Sequence, residues 1–216
     1  MRPWIDGAWS FSSQEAPLAG DRRILDGGVI WLTGLSSAGK TTLGVCVAQW
    51  LSARGWKVEL LDGDQMRQQL CRDLQFSKKD REENVRRIAA VAELLVKHGV
   101  IAIVSVISPY RSGRDEARRR ISRFIEVYVN APVEVCEQRD TKGLYRKARA
   151  RQLTGFTGID DPYEPPLRPE VECRTDKESV TESANKILRC FESIFTMQSL
   201  LVPKTSQTLA TKAIGS

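Results

Sequence analysis

The sequence predicts an α/β fold of three layers, a mostly parallel central sheet with helices on both faces. Three observations predict it. Short apolar runs alternate with longer segments of helical spacing along the chain. Val100 to Ile107 is almost unbroken apolar, as suits a strand covered on both sides. Finally, Gly34 to Thr41 reads Gly-Leu-Ser-Ser-Ala-Gly-Lys-Thr, which is Gly, four residues, then Gly-Lys-Ser/Thr. It stands between a strand pattern and a helix pattern, the setting in which that spacing cradles phosphate.

The elements follow in order. Residues 1–28 are polar, with Gly, Pro and Ser, and read as a loosely packed arm pinned by Trp4, Trp9 or Phe11. Residues 29–195 form the folded domain. Val29 to Thr33 is a buried strand, and Thr42 to Ser52 a helix. Trp56 to Leu61 is a second strand, ending at Asp62-Gly63-Asp64. Arg81 to His98 is amphipathic, with Val85, Ile88, Ala89, Ala92 and Leu95 at helical spacing. After the apolar strand come a charged helix, Ser112 to Ser122, and a buried strand, Phe124 to Val129. Residues 130–170 lose apolar periodicity and gain Arg, Lys, Gly, Asp and Pro, so they read as a long functional loop with a basic lid over 139–164. Short structure returns near Val171 to Cys173, then a helix from about Glu178 to Phe195. Residues 196–216 read as a mobile polar tail.

Composition narrows the function. At 216 residues the chain suits one domain with a real core. A net charge of +6 suits an anionic partner. The five cysteines, Cys46, Cys71, Cys136, Cys173 and Cys190, form no C-x-x-C pair, which reads as a reduced, cytoplasmic protein without metal-site spacing. The single histidine, His98, ends a helix just before Gly99, so helix termination is its expected role. No apolar run is long enough to span a bilayer, and no membrane association is expected. Basic residues gather at Arg139, Lys142, Arg146, Lys147, Arg149 and Arg151, with Tyr145 the one aromatic residue among them and no base-stacking platform evident. That favours a lid clamping a phosphoryl group over a nucleic-acid surface.

The glycines of the 34–41 segment let successive N–H groups face one anion, and the following helix points its positive end there. Lys40 is expected to reach the outer phosphates, and the Thr41 hydroxyl to bind Mg²⁺. Asp62 and Asp64 end a strand beside this loop, where a carboxylate holds metal through water or takes a proton from an attacking hydroxyl. Asp-Gly-Asp is also an ordinary turn. Arg67 follows in the next turn, within reach of an anion. Arg81 and Asn84 are three apart and share a helix face.

With these residues in place, the chain resembles the adenylylsulfate (APS) kinase family. The matching stretches are 34–42, Leu-Asp-Gly-Asp at 61–64, Asp-Arg-Glu-Glu-Asn-Val-Arg-Arg at 80–87 and Ile-Ser-Pro-Tyr-Arg at 107–111. Cys-Glu-Gln-Arg-Asp at 136–140, Gly-Leu-Tyr-Arg-Lys-Ala-Arg at 143–149 and Gly-Phe-Thr-Gly-Ile-Asp-Asp-Pro-Tyr-Glu at 155–164 match as well. The resemblance spans roughly residues 29–190 and implies a P-loop kinase that transfers the γ-phosphoryl group of MgATP to the 3′-hydroxyl of APS. It implies ATP on Gly34, Leu35, Ser36, Ser37, Ala38, Gly39, Lys40, Thr41 and Thr42, with Arg139 near the ATP adenine. Thr41 and Asp62 would hold Mg²⁺. Asp62, with Asp64 as second choice, would orient or deprotonate the acceptor hydroxyl. Phe76 and Phe156 would sandwich the APS adenine. Asp64, Arg67, Arg81, Asn84, Ile107, Ser108 and Lys147 would complete the substrate site. Ser108 matches a serine described as a phosphoenzyme site, but a serine needs a base and no histidine is near it in sequence, so direct in-line transfer is favoured. Many family members are dimers, so a homodimer is implied. Rival readings are another small-molecule P-loop kinase, or a nucleotide-binding regulatory module without catalysis. Departures from the family pattern are Ser37 for a common Gly, Gln65 for Asn, Gln75 for Gly, and an unusual 165–172.

Overall fold

The computed structural model describes residues 27–197. Trp4, Trp9 and Phe11, and all of the polar tail beyond Met197, lie outside the described residues. Five strands form one sheet: β1 (Gly28–Thr33), β2 (Val58–Asp62), β3 (Ile101–Ser105), β4 (Phe124–Asn130) and β5 (Val171–Arg174). Their spatial order is β2-β3-β1-β4-β5, and every pairing is parallel. β1 is therefore central, flanked by β3 and β4, and all six of its residues are buried. Parallel strands need crossovers, and the helices that provide them cover both faces.

Period-two alternation in the strands sorts the core into two layers. Ile30, Leu32, Ile103 and Val127 face one side, against Leu43, Val47 and Leu51 of α1 (Lys40–Ala53) and Ile187 and Phe191 of α7 (Val180–Met197). Val29, Trp31, Ala102 and Val104 face the other, against Val85, Ile88 and Ala92 of α3 (Lys78–Lys97) and Ala117 of α4 (Arg111–Arg120). The helical spacing predicted for α3 is thus the face that packs on the sheet. Ser77 starts that helix: its Oγ accepts from the Asp80 amide at 3.2 Å and donates to the Asp80 carboxylate at 2.7 Å. His98 is its C-terminal cap residue, as expected.

Two readings need correction. β3 stops at Ser105, two residues short of the predicted end, because residues 106–109 leave the sheet to wall the cleft. The segment 130–170 is not one long loop. It contains α5 (Val133–Arg139) and α6 (Leu144–Arg149). These helices bury only Cys136 and only Tyr145 and Ala148, respectively. One or two buried side chains per helix leave no repeat for a periodicity argument to find. A further short helix, α2 (Gly63–Gln69), follows β2 directly, with Asp62 as its N-cap.

The order of connections fixes where a ligand sits. The chain passes from β3 on one side of β1 to β4 on the other, so the crevice beyond the carboxyl end of β1 is a topological switch point. The phosphate loop is the turn that leaves β1 there.

Candidate active site

A cleft of ≈ 1070 Å³ opens at the carboxyl ends of β1, β2 and β3. Its donor side is the loop 34–39. Gly34 leaves β1 with φ +153°, and a Cβ there would lie 2.3 Å from the Val129 carbonyl oxygen of the neighbouring strand. Only glycine fits that approach. Gly39 is left-handed at φ +102° and turns the chain into α1. Ser37 is also left-handed, φ +58°. That conformation costs a non-glycine residue about 1 kcal/mol. Ser37→Gly is therefore expected to raise the melting temperature by about 1–2 °C, after the extra chain entropy of glycine is counted. A fall in melting temperature would refute the strain.

Ser36, Ser37, Gly39, Lys40, Thr41 and Thr42 line the cleft; Gly34, Leu35 and Ala38 form the back of the loop. Lys40 is buried, and its Nζ donates to the carbonyls of Gly34 at 3.0 Å and Leu35 at 2.6 Å. Burial pulls its ammonium down to about 8, with Lys142 adding to the fall and Asp62 and Asp64 opposing it. An incoming polyphosphate favours the charged amine. Binding MgATP near pH 8 should therefore take up a fraction of a proton, and affinity should fall as pH rises above 8. Calorimetry in two buffers of different ionisation enthalpy reads the uptake, which Lys40→Met should remove. Before ligand binds, the same shift makes stability rise with pH between about 8 and 10.5, since the unfolded chain holds more protons there.

Beside the loop, the Thr41 hydroxyl donates to Asp62 Oδ2 at 2.9 Å and lies 3.4 Å from Ser105 Oγ. Asp62 Oδ1 accepts from the Asp64 amide at 3.0 Å. These all-oxygen donors at the rim of a phosphate cradle suit Mg²⁺. Asp64 pairs with Lys142, which reaches over from the α5–α6 connection.

The acceptor side lies opposite. Phe76 is 53% exposed, with the Arg67 guanidinium 4.6 Å from its ring centre. Phe156 also lines the cleft but is 7% exposed, its ring set edge-to-face on Tyr145 at 4.9 Å. The two rings thus border one cavity with unequal freedom. Arg67 donates to the carbonyls of Leu74 at 3.5 Å and Gln75 at 3.1 Å. Arg81 is buried and committed within the protein: to the Phe76 carbonyl at 2.9 Å, Thr157 Oγ1 at 2.9 Å and the Gly155 carbonyl, with Asp161 at 3.6 Å. Asn84 is buried in the cleft wall, and its Oδ1 has no partner. A buried carbonyl oxygen without a donor is costly, and a ligand donor would satisfy it.

Ile107 and Ser108 line the cleft as expected. Ser108 is buried at φ +40°, and its Oγ accepts from Trp31 Nε1 at 3.1 Å. The Arg114 guanidinium holds the Ser108 carbonyl at 2.5 Å and Glu126 Oε1 at 2.8 Å. Arg139 donates to the Ser37 carbonyl at 3.4 Å and the Thr175 carbonyl at 2.6 Å, so it braces the donor loop. Lys147 lies apart from these residues. It is exposed on α6 and does not line the cleft; Lys142 is the lid lysine that does. The reason is helical phase, because α6 turns Tyr145 and Ala148 inward and leaves Lys147 outside.

Sequence reading also missed Thr175, whose Oγ1 donates to the Ala38 carbonyl at 2.8 Å. It follows a strand end, as the other site segments do, and that signal was present. Tyr145 was quoted within a motif but given no role. Among the described residues there is no helix long and apolar enough to cross a membrane.

The family model for adenylylsulphate kinase matches residues 26–174. The chain belongs to the adenylylsulfate kinase family. A relative from Gloeothece citriformis, an adenylyl-sulfate kinase, is 58% identical over 168 residues, covering 78% of this chain and 96% of the relative. One from Synechococcus sp. (strain JA-2-3B'a(2-13)) is 60% identical over 167 residues, 77% and 95% of the two chains. Among solved structures, the Mycobacterium tuberculosis APS kinase in complex with AMPPNP and APS superposes with a TM-score of 0.75. It is 41% identical, with 77% of this chain and 98% of that one covered. An enzyme of this family fits both halves of the cleft, a phosphate cradle and an aromatic pocket.

Proposed function

We propose that this adenylylsulfate kinase transfers the γ-phosphoryl group of ATP to the 3′-hydroxyl of APS, giving 3′-phosphoadenylylsulfate and ADP. The observation that carries the reading is that the phosphate loop and both aromatic residues line one cleft. ATP lies along residues 34–42, with Lys40 turning from the loop carbonyls to the outer phosphates. Thr41 and Asp62 hold Mg²⁺, which when bound neutralises charge on the transferring group. Asp62 orients or deprotonates the acceptor hydroxyl, with Asp64 as the second candidate. Phe76 and Phe156 border the APS adenine, and Asn84 Oδ1 accepts a hydrogen bond from the nucleotide. Arg67, Ile107 and Ser108 wall the sulfate end. Arg81 acts there by fixing the Phe76 and Gly155 backbones, and Lys142 takes the lid position assigned to Lys147.

Transfer is direct. Ser108 Oγ is enclosed and already accepts from Trp31, which supports a structural part for it. Ser108→Ala is expected to retain activity within about tenfold of wild type; complete loss with trapped phosphoserine would overturn direct transfer. The free thiols of five cysteines support a cytoplasmic enzyme. A homodimer is part of the same proposal, read by light scattering. The deciding assay couples ADP release to NADH oxidation with and without APS and identifies the 3′-phosphorylated product. APS-independent ADP release, or none, would sink the assignment.

A further inference from the structure

Tyr145 touches both halves of the cleft. It lies in the first turn of α6, where its amide donates to Asp140 Oδ1 at 3.0 Å. Its side chain is fully buried. The hydroxyl donates to the Ser36 carbonyl of the phosphate loop at 3.1 Å. The ring meets Phe156 edge-to-face, with centroids 4.9 Å apart and planes at 82°. Burial pushes the phenol well above its ordinary range, so it remains a donor throughout the working pH range.

The Ser36 carbonyl and the Ser37 amide are two ends of one rigid peptide plane. Whatever fixes that oxygen fixes where the Ser37 N–H points. In a phosphate loop those N–H groups are the anion donors. Neither Arg139, which reaches the Ser37 carbonyl, nor Thr141, 3.5 Å from Ser37 Oγ, controls this plane. Phe156 is the other anchor. Its amide is held by Asp160 Oδ1 at 2.5 Å, so the ring's remaining freedom is limited by Tyr145 on one side and the cleft on the other.

We propose that Tyr145 is a positioning residue that couples the two nucleotide sites: a purine packed on Phe156 holds the Tyr145 ring, and its hydroxyl then aims the Ser37 N–H at the ATP phosphates. The proposal rests on the assignment of the APS adenine to Phe156. Coupling between sites is reciprocal, so it is measurable at equilibrium without turnover.

The experiment measures the Kd of Mg·AMPPNP by calorimetry, with and without saturating APS, in wild type, Tyr145→Phe and Phe156→Leu. Wild type should bind the analogue about fivefold more tightly when APS is present, the lower end of ordinary coupling. Tyr145→Phe keeps the ring and loses only the hydroxyl. Its APS affinity should stay within about twofold of wild type, while the APS effect on Mg·AMPPNP disappears. Phe156→Leu keeps the hydroxyl bond and loses the ring contact, so the coupling should also vanish once APS is saturating. A role confined to packing would lower both affinities and leave their ratio intact. No coupling in wild type, or full coupling in Tyr145→Phe or in Phe156→Leu, overturns the proposal. An enzyme without APS-dependent ADP release would instead remove the assignment beneath it, so the two failures are distinguishable.

Discussion

Lys40→Met is expected to lower the turnover number by about 10³-fold or more, the loss typical when a charge aimed at a developing phosphoryl transition state is removed. Stability should change little, and the structure explains why. The Lys40 ammonium is buried and bonded to two loop carbonyls. Losing those bonds leaves the Gly34 carbonyl unpaired, a cost of about 1–3 kcal/mol where water cannot reach, while the Leu35 carbonyl keeps the Ala38 amide at 3.2 Å. Removing a desolvated charge offsets part of that cost, and Met fills the aliphatic track of the side chain. The expected result is therefore a catalytic collapse with a melting temperature within a few degrees of wild type. Thermal denaturation beside the ADP assay decides it. Comparable losses of fold and activity would mean that Lys40 is chiefly a structural staple of the loop.

The second large effect is on the acceptor. Phe76→Ala should raise the KM for APS by about tenfold or more and leave that for ATP near its wild-type value, since stacking a base on an aromatic ring contributes about 1–3 kcal/mol. Phe76 is half exposed, so truncating it leaves little cavity. Phe156→Ala tests the same wall less cleanly. That ring is buried against Tyr145, so its loss should also destabilise the fold by about 3 kcal/mol or more. The pair of variants therefore separates binding from packing. Equal rises in KM for APS and ATP in Phe76→Ala would remove Phe76 from the acceptor site.

Most of the sheet was legible because buried parallel strands have a plain signature. Val29 to Thr33, Phe124 to Val129 and Val171 to Cys173 were each placed within a residue of their observed bounds. The helix of Val85, Ile88 and Ala92 showed its packed face through spacing. The lid resisted because its helices bury too little to repeat. Lys142 and Lys147 looked alike in the sequence; only the turn of α6 sends Lys147 to solvent while Lys142 reaches Asp64. Arg81 lines the cleft beside Asn84, and only the fold shows that its donors are taken by a backbone carbonyl and a side chain 74 and 76 residues away.

By itself, the sequence determined the phosphate loop, the carboxylates after β2, the order of the strands and of the four longer helices, and the family. Each of these is written in residues close together along the chain, where glycine freedom, strand alternation and helical spacing act. Only the tertiary structure decided which of two aromatic rings is free, which lysine enters the cleft, that Asn84 keeps an oxygen waiting, and that Tyr145 joins the two halves. Those facts depend on what is left exposed or unpaired after distant segments pack, and packing partners across a hundred residues leave no local mark.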